Sequence, residues 1–171
     1  MNYQKAYELA KKLCIQLEPH CDRIQIAGSI RRQKREVGDI EIVCIPRKIE
    51  VDQDLFTKEK VNCNEFVEII DSFEKVKGDA VKGKYMQRIL PEGIKVDIFT
   101  CARDNWGLIY AIRTGSAKFS HHVLASTWVK LGYHSKNGYL WSGLSMIPLH
   151  EEKDLFKQLR INYISPRLRE V

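Results

Sequence analysis

Residues 27–45 read AGSIRRQKREVGDIEIVCI. A Gly28-Ser29 pair opens the stretch, a cationic and amide run follows from Arg31 to Arg35, and Asp39 and Glu41 then stand two apart at the head of an apolar segment. Side chains at i and i+2 of a strand share one face. As a strand, residues 39–45 therefore project Asp39 and Glu41 together, while Ile40, Ile42 and Cys44 turn to a core. The same period in residues 94–100, IKVDIFT, sets Ile94, Val96 and Ile98 against Lys95, Asp97 and Phe99. If the two strands are neighbours in one sheet, Asp97 joins Asp39 and Glu41 as a third carboxylate.

Three close carboxylates repel one another, and one takes up a proton unless cations are present. Hard divalent ions with oxygen ligands relieve that repulsion; Mg²⁺ is the expected ion, with Mn²⁺ as a substitute. Two such ions ~3.5–4 Å apart clamp the attacking and leaving oxygens of an in-line phosphoryl displacement. The Gly28-Ser29 turn suits the same chemistry. Glycine lets the backbone approach a ligand, and the serine hydroxyl with nearby N–H groups cradles phosphate oxygens. Arg31 and Arg32 can neutralise a polyphosphate with bidentate guanidinium forks. Taken singly, two acids on a half-buried strand, or a basic loop after a Gly-Ser turn, are ordinary solvated features. Their order along the chain is what makes the combination specific.

The 171-residue chain is 44% hydrophobic and 29% charged, with a formal net charge of +6 that leans toward an acidic partner such as nucleic acid. Cys14, Cys21, Cys44, Cys63 and Cys101 are scattered and form no CxxC pair. Neither a zinc knuckle nor a disulfide framework is expected, and reduced thiols are. The N-terminal residues are polar, and no apolar run approaches the ~20 residues needed to cross a bilayer. An intracellular protein, cytoplasmic or nucleoid-associated and of cellular or viral source, is expected, with no membrane partner.

Helical spacing marks residues 3–18, stopped by Pro19, and residues 65–73. Residues 24–27, 39–45, 85–90 and 94–100 read as strands, the last two joined at Pro91-Glu92-Gly93. Residues 46–64 read as a surface loop. Helices are expected over 104–112, 116–131 (closed by Gly132) and 151–159, with a hairpin about Asn137-Gly138. The Gly78…Gly83-Lys84 spacing imitates a P-loop, but Tyr85 replaces Ser or Thr and a strand follows. Trp106, Trp128 and Trp141 read as packing residues between lobes. The fold class is α+β, with a lobe boundary near residues 101–106.

GSIRRQKREVGDIEIV resembles the Gly-Ser turn and Asp-x-Asp/Glu strand of the nucleotidyltransferase superfamily, and more closely those of the family X DNA polymerases of the polymerase beta type. KVDIFT is similar to that family's third-carboxylate strand, RTGSAKFSHHVLASTWVKLGY to its Thr-Gly-Ser turn and nucleotide-contacting helix, and EEKDLFKQLRINYISPRLRE to its closing helix and Tyr-x-x-Pro-x-x-Arg tail. The resemblance implies a palm with a mixed β-sheet flanked by helices over residues 1–105. A smaller, mostly helical nucleotide/template-binding subdomain with a β-hairpin then spans 106–171. It implies a monomer that binds primer-template or gapped DNA and a dNTP, and transfers a nucleotidyl group to a primer 3′-hydroxyl during gap repair. A template-independent nucleotidyltransferase for RNA or a small acceptor, and an inactive nucleic-acid-binding module, are the competing readings.

By position, the resemblance makes Asp39 and Glu41 ligands of both metals, and Asp97 a ligand of the catalytic one that accepts or steers the hydroxyl proton. Gly28, Ser29, Arg32 and the Gly38 backbone would hold the triphosphate. Thr114, Gly115 and Ser116 would form the turn under the sugar, Ser120 would lie near the base, and Lys95 would face the primer. Lys95, Lys118, Lys130, Arg167 and Arg169 are the candidates for gripping DNA. Glu41 stands where Asp is commoner, and Ile112-Arg113 where polymerases of this type carry an aromatic pair beside the sugar. No lyase domain, helix-hairpin-helix clamp or 5′-deoxyribose phosphate lyase activity is expected of this chain.

Overall fold

The computed structural model describes residues 1–170; Val171, the last residue of the expected C-terminal subdomain, lies outside them. Helix α1 (Tyr3–Leu17) buries Ala6, Ala10, Leu13 and Leu17 along one stripe, and the Asn2 side chain caps it by accepting from the Lys5 N–H. A 3₁₀ turn, Glu18–His20, carries Pro19 and ends the helix. Strand β1 (Cys21–Ile26) runs into α2 (Gly28–Arg31), a single turn, and then into β2 (Asp39–Pro46). Beyond these come β3 (Lys48–Asp52), β4 (Lys58–Asn62), α3 (Asn64–Asp71), β5 (Glu74–Lys77), β6 (Tyr85–Ile89) and β7 (Lys95–Thr100).

Five of these strands form a mixed sheet in the order β1-β2-β7-β6-β5. Strands β2 and β7 are parallel neighbours, whereas β1–β2, β7–β6 and β6–β5 are antiparallel. The apolar alternation of β2 and β7 turns Ile40, Ile42, Cys44, Val96 and Ile98 into one core, covered by α1 and by Phe66 and Ile70 of α3. The opposite face of the same strands carries Val43 and Phe99, which pack with Ala27, Trp106 and Tyr110. Trp106 is fully buried there, in the packing role expected of it.

The chain continues through α4 (Trp106–Thr114), a π-wound segment (Phe119–Ala125), α5 (Ser126–Lys130), a three-stranded sheet β8 (Tyr133–Lys136), β9 (Tyr139–Ser142) and β10 (Ser145–Ile147), and α6 (Glu152–Gln158). Leu108, Phe119, Leu124, Leu140, Leu155 and Phe156 close a second core. The architecture is α+β: a mixed sheet flanked by helices, followed by helices and a β-hairpin region.

Four elements differ from expectation. Residues 46–64 are not a loop: β3 and β4 pair as an antiparallel ribbon. The ribbon is largely solvent-facing, and its apolar side holds only Ile49 and Val51 of β3 and Val61 of β4 among charged neighbours, so its alternation is too short to stand out. Strand β5 is fully exposed at the sheet edge, where lysines replace apolar residues. Strand β10 adds to the expected hairpin. The helix expected over 116–131 opens as a π turn, in which the Ser126 N–H reaches the His121 carbonyl while the Ser126 hydroxyl engages that of His122.

Candidate active site

Parallel pairing of β2 with β7 sets Glu41 opposite Asp97 and Asp39 opposite Lys95. Asp39, Glu41 and Asp97 thus share the face away from the main core, as alternation requires. Burial and then the negative charge of Asp97 raise the Asp39 carboxyl above its ordinary range. Burial and then Asp39 push Glu41 up to about 7, against the opposing pull of Arg32 and Arg113. Like charges crowded into a half-buried site are the condition a divalent cation relieves. The donor set, all carboxylate oxygen, fits a hard ion such as Mg²⁺. The three carboxylates are not gathered within 4.8 Å of one another as a single ligand group. Two contacts account for how they are held.

The first holds Asp97. Its Oδ1 accepts from the Tyr85 hydroxyl at 2.9 Å and from Gln87 Nε2 at 2.7 Å. Both donors come from β6, whose register pairs Gln87 with Asp97 and Tyr85 with Phe99. Tyr85 stacks on Phe99 with ring centroids 5.0 Å apart, and the Arg113 guanidinium lies 3.9 Å from the Phe99 centroid. The second holds Glu41: its Oε2 lies against Gly28, which takes φ +59°. Beside that turn, the Ser29 Oγ is buried without a hydrogen-bond partner among the described residues, and so is the Arg113 Nε. An orphaned hydroxyl next to a cation-ready cluster suits a phosphate oxygen. Gly38 is exposed and faces open space.

The arginines of the basic run divide. Arg31 does not face a polyphosphate: its Nη1 and Nη2 grip the Glu152 carboxylate at 2.7 and 2.9 Å, and Nη1 also meets Thr114 Oγ1. The guanidinium lies 3.8 Å from the Tyr110 ring centroid. Arg32 Nη1 donates to the Thr114 carbonyl at 2.8 Å, and its Nε engages Glu170. Thr114 is fully buried with both oxygens occupied, so it links α4 to the basic turn. Gly115 packs where a Cβ would come within 2.5 Å of Phe119, and the Ser116 Oγ accepts from the Phe119 N–H. The Ser120 hydroxyl donates to the Ile112 carbonyl.

Arg169 is corrected as a DNA contact. It is fully buried, donating to Glu152 Oε1 and the Ile164 carbonyl, because the tail needs its charge to pair Glu152. Burial alone would push the Glu152 carboxyl up, but the hydrogen bonds from Arg31 and Arg169 outweigh it and hold it at about 2. Lys95, Lys118, Lys130 and Arg167 are exposed. The P-loop imitation is excluded as a site: Gly83 closes on the Asp79 carbonyl and Lys84 reaches the Asn137 carbonyl.

No family model matches the chain, and no curated protein matches it in sequence. Among solved structures it is similar to Leishmania infantum polymerase beta in a ternary P/T complex, at 17% identity and a TM-score of 0.70, over 100% of this chain and 77% of that one. The fold is polymerase beta-like. Tyr85, Gln87 and Glu170 are neighbours of the carboxylates and the basic turn that sequence reasoning missed, and Arg113, noted only as a departure in the sequence, lies beside Glu41 and Phe99. The alternation of β6 places Tyr85 and Gln87 on the Asp97 face, and that signal becomes legible once the turn at residues 91–93 sets the hairpin register. Glu170 carries no such signal.

Proposed function

We propose that the chain is a polymerase of family X type, which transfers a nucleotidyl group from a dNTP to a primer 3′-hydroxyl to fill short gaps in DNA. The observation that carries this reading is the in-register pairing of Glu41 with Asp97 on parallel strands, with Asp39 on the same face and the orphaned Ser29 hydroxyl beside it. The polymerase beta-like fold and the net charge of +6 support it. No helix among the described residues is long and apolar enough to cross a membrane.

In this reading residues 1–105 form the palm, and 106–171 the nucleotide/template-binding part of a monomer. Asp39, Glu41 and Asp97 hold Mg²⁺, which when bound neutralises charge on the phosphates and on the attacking oxygen. The Gly28-Ser29 turn, the Gly38 backbone and Arg32 hold the triphosphate, with their donors aimed where charge gathers on the leaving pyrophosphate. The 3′-oxygen bonds to the α-phosphorus as the bond from that phosphorus to the bridging oxygen breaks, and pyrophosphate departs. Asp97, with Oδ1 committed to Tyr85 and Gln87, presents its second oxygen to the hydroxyl proton. Gly115 and Ser116 shape the turn under the sugar, Ser120 supports it from below, and Lys95 meets the primer backbone.

Extension of a labelled primer on one-nucleotide-gapped DNA with Mg²⁺ and each dNTP tests the proposal. Templated addition by the wild type, lost in a folded Asp97→Asn variant, is the expected result. Untemplated addition to RNA or to a small acceptor moves the assignment to the wider superfamily. Binding without transfer leaves a nucleic-acid-binding module.

A further inference from the structure

A second group of ligand atoms lies at the far end of β2. His20 ends the 3₁₀ turn after α1, Cys63 caps the start of α3, and Glu65 stands in the first turn of that helix. Main-chain bonds stitch these segments together. The Arg47 N–H donates to the His20 carbonyl, and the Cys63 N–H to the Arg47 carbonyl, both at 2.9 Å. One ligand atom from each of His20, Cys63 and Glu65 then falls within 4.8 Å of the others.

We propose that His20, Cys63 and Glu65 form a zinc site separate from the carboxylates of the active site. The three donors have little else to do. Among the described residues the His20 ring and the Glu65 carboxylate make no hydrogen bond or ion pair, and Cys63 Sγ has only a 3.8 Å contact with the His20 carbonyl. Cys63 is 7% exposed, so the softest donor is shielded from solvent, while Glu65 is exposed and free to swing.

The donor chemistry selects the ion. Imidazole nitrogen, thiolate sulfur and carboxylate oxygen are the ligand types of Zn²⁺, and a thiolate is a poor ligand for Mg²⁺. From zinc bond lengths of ~2.0–2.3 Å, tetrahedral donors stand roughly 3.5 Å apart. The exposed Glu65 side chain and the part-exposed His20 ring supply the rotations that bring the donors together. A thiolate and a carboxylate balance the charge of the ion, and the fourth position is open to water.

The place in the fold separates this site from catalysis. Cys21 pairs with Pro46 at one end of β2 and Asp39 starts the other, so the two sites lie roughly 23 Å apart at strand rise. A zinc ion here joins the end of α1 and the turn after β2 to the start of α3. Its sequence signature is hidden because His20 and Cys63 are 43 positions apart.

Metal-stripped full-length protein, given Zn²⁺ and passed through a desalting column, is assayed for retained metal. In parallel, Co²⁺ reports sulfur ligation by a thiolate charge-transfer band in the near ultraviolet. One retained zinc per chain and a cobalt–thiolate band are expected, both lost in Cys63→Ser and His20→Ala and both kept in an Asp39→Asn/Asp97→Asn double variant. Zinc also raises the melting temperature of the wild type and not that of Cys63→Ser. If Cys63→Ser fails to fold, Glu65→Gln, on an exposed side chain, gives the second reading through weakened zinc retention. Zinc retained by both His20→Ala and Cys63→Ser, or absent from the wild type, overturns the site.

Discussion

Glu41 Oε2 lies 1.8 Å from the point where a Cβ on Gly28 would stand. The glycine of the basic turn and the second carboxylate of the strand are therefore one packing unit: the turn adopts φ +59°, and the acid fills the space a side chain would need. In Gly28→Ala the left-handed backbone costs about 1–2 kcal/mol, and the added methyl drives the carboxylate away from Asp39. The variant should stay folded with a lowered melting temperature and lose nucleotidyl transfer at least a hundredfold. Unfolding curves beside primer extension check this, and a fully active Gly28→Ala enzyme sinks it.

Glu41 is held at a loss of stability. Its folded pKa of about 7 stands above the ordinary 4.5, so the native state prefers the protonated acid. The group's contribution is fully present below pH 4.5 and is lost as the pH rises through 7. At pH 8 without metal, Glu41→Gln should therefore stabilise the protein by about 2–3 kcal/mol while abolishing transfer. Mg²⁺ should raise the stability of the wild type and leave the variant unchanged. Denaturant unfolding at pH 5 and pH 8, with chelator and with Mg²⁺, measures all of it; an equal loss of stability at both pH values contradicts it.

Glu152 behaves in the opposite sense. Arg31 and Arg169 hold it at about 2, below the ordinary 4.5, so its contribution is present above pH 4.5 and is lost as the pH falls toward 2. That window is worth on the order of 3 kcal/mol. At pH 7, Glu152→Gln leaves two cations short of a partner and should cost about 3–5 kcal/mol. Its stability should then fall less between pH 4.5 and 3 than that of the wild type. Urea titrations across that range decide the point, and parallel acid profiles would remove Glu152 from the account.

Most of the five-stranded sheet was legible because its signals are periodic. Alternation in β2 put Asp39 and Glu41 on one face, and alternation in β7 left Asp97 ready to join them once the two strands pair; the apolar spacing of α1 marks Ala6, Leu13 and Leu17 of its buried stripe but not Ala10. What stayed hidden had too little apolar period to follow. The β3–β4 ribbon offers only Ile49, Val51 and Val61 among charged residues, and β5 is an exposed edge. Arg31 and Arg169 are chemically fit for phosphate, yet the fold commits both to Glu152, more than a hundred positions from Arg31. A basic run reveals charge, and only packing reveals which charge is free.

Arg32 is the case where that distinction bears on turnover. Its Nε engages Glu170, whose other oxygen lies 3.0 Å from the Lys34 ammonium. The tail carboxylate therefore occupies the cation assigned to the triphosphate. Burial alone would push Glu170 up, but hydrogen bonds from Arg32 and Lys34 outweigh it and hold the acid charged. On the proposed function an incoming nucleotide must displace this contact, and a partly exposed pair is worth about 1 kcal/mol, or roughly fivefold in affinity. Glu170→Gln should lower the KM for dNTP by about that factor with kcat little changed. Arg32→Ala should lower kcat/KM by roughly ten- to a hundredfold, since a charge-assisted bond worth about 1.5–3 kcal/mol is lost, while affinity for gapped DNA holds. Steady-state kinetics at varied dNTP, paired with DNA titrations, separate these effects. An unchanged KM in Glu170→Gln, or lost DNA affinity with intact nucleotide kinetics in Arg32→Ala, would place Arg32 on the template side of the site.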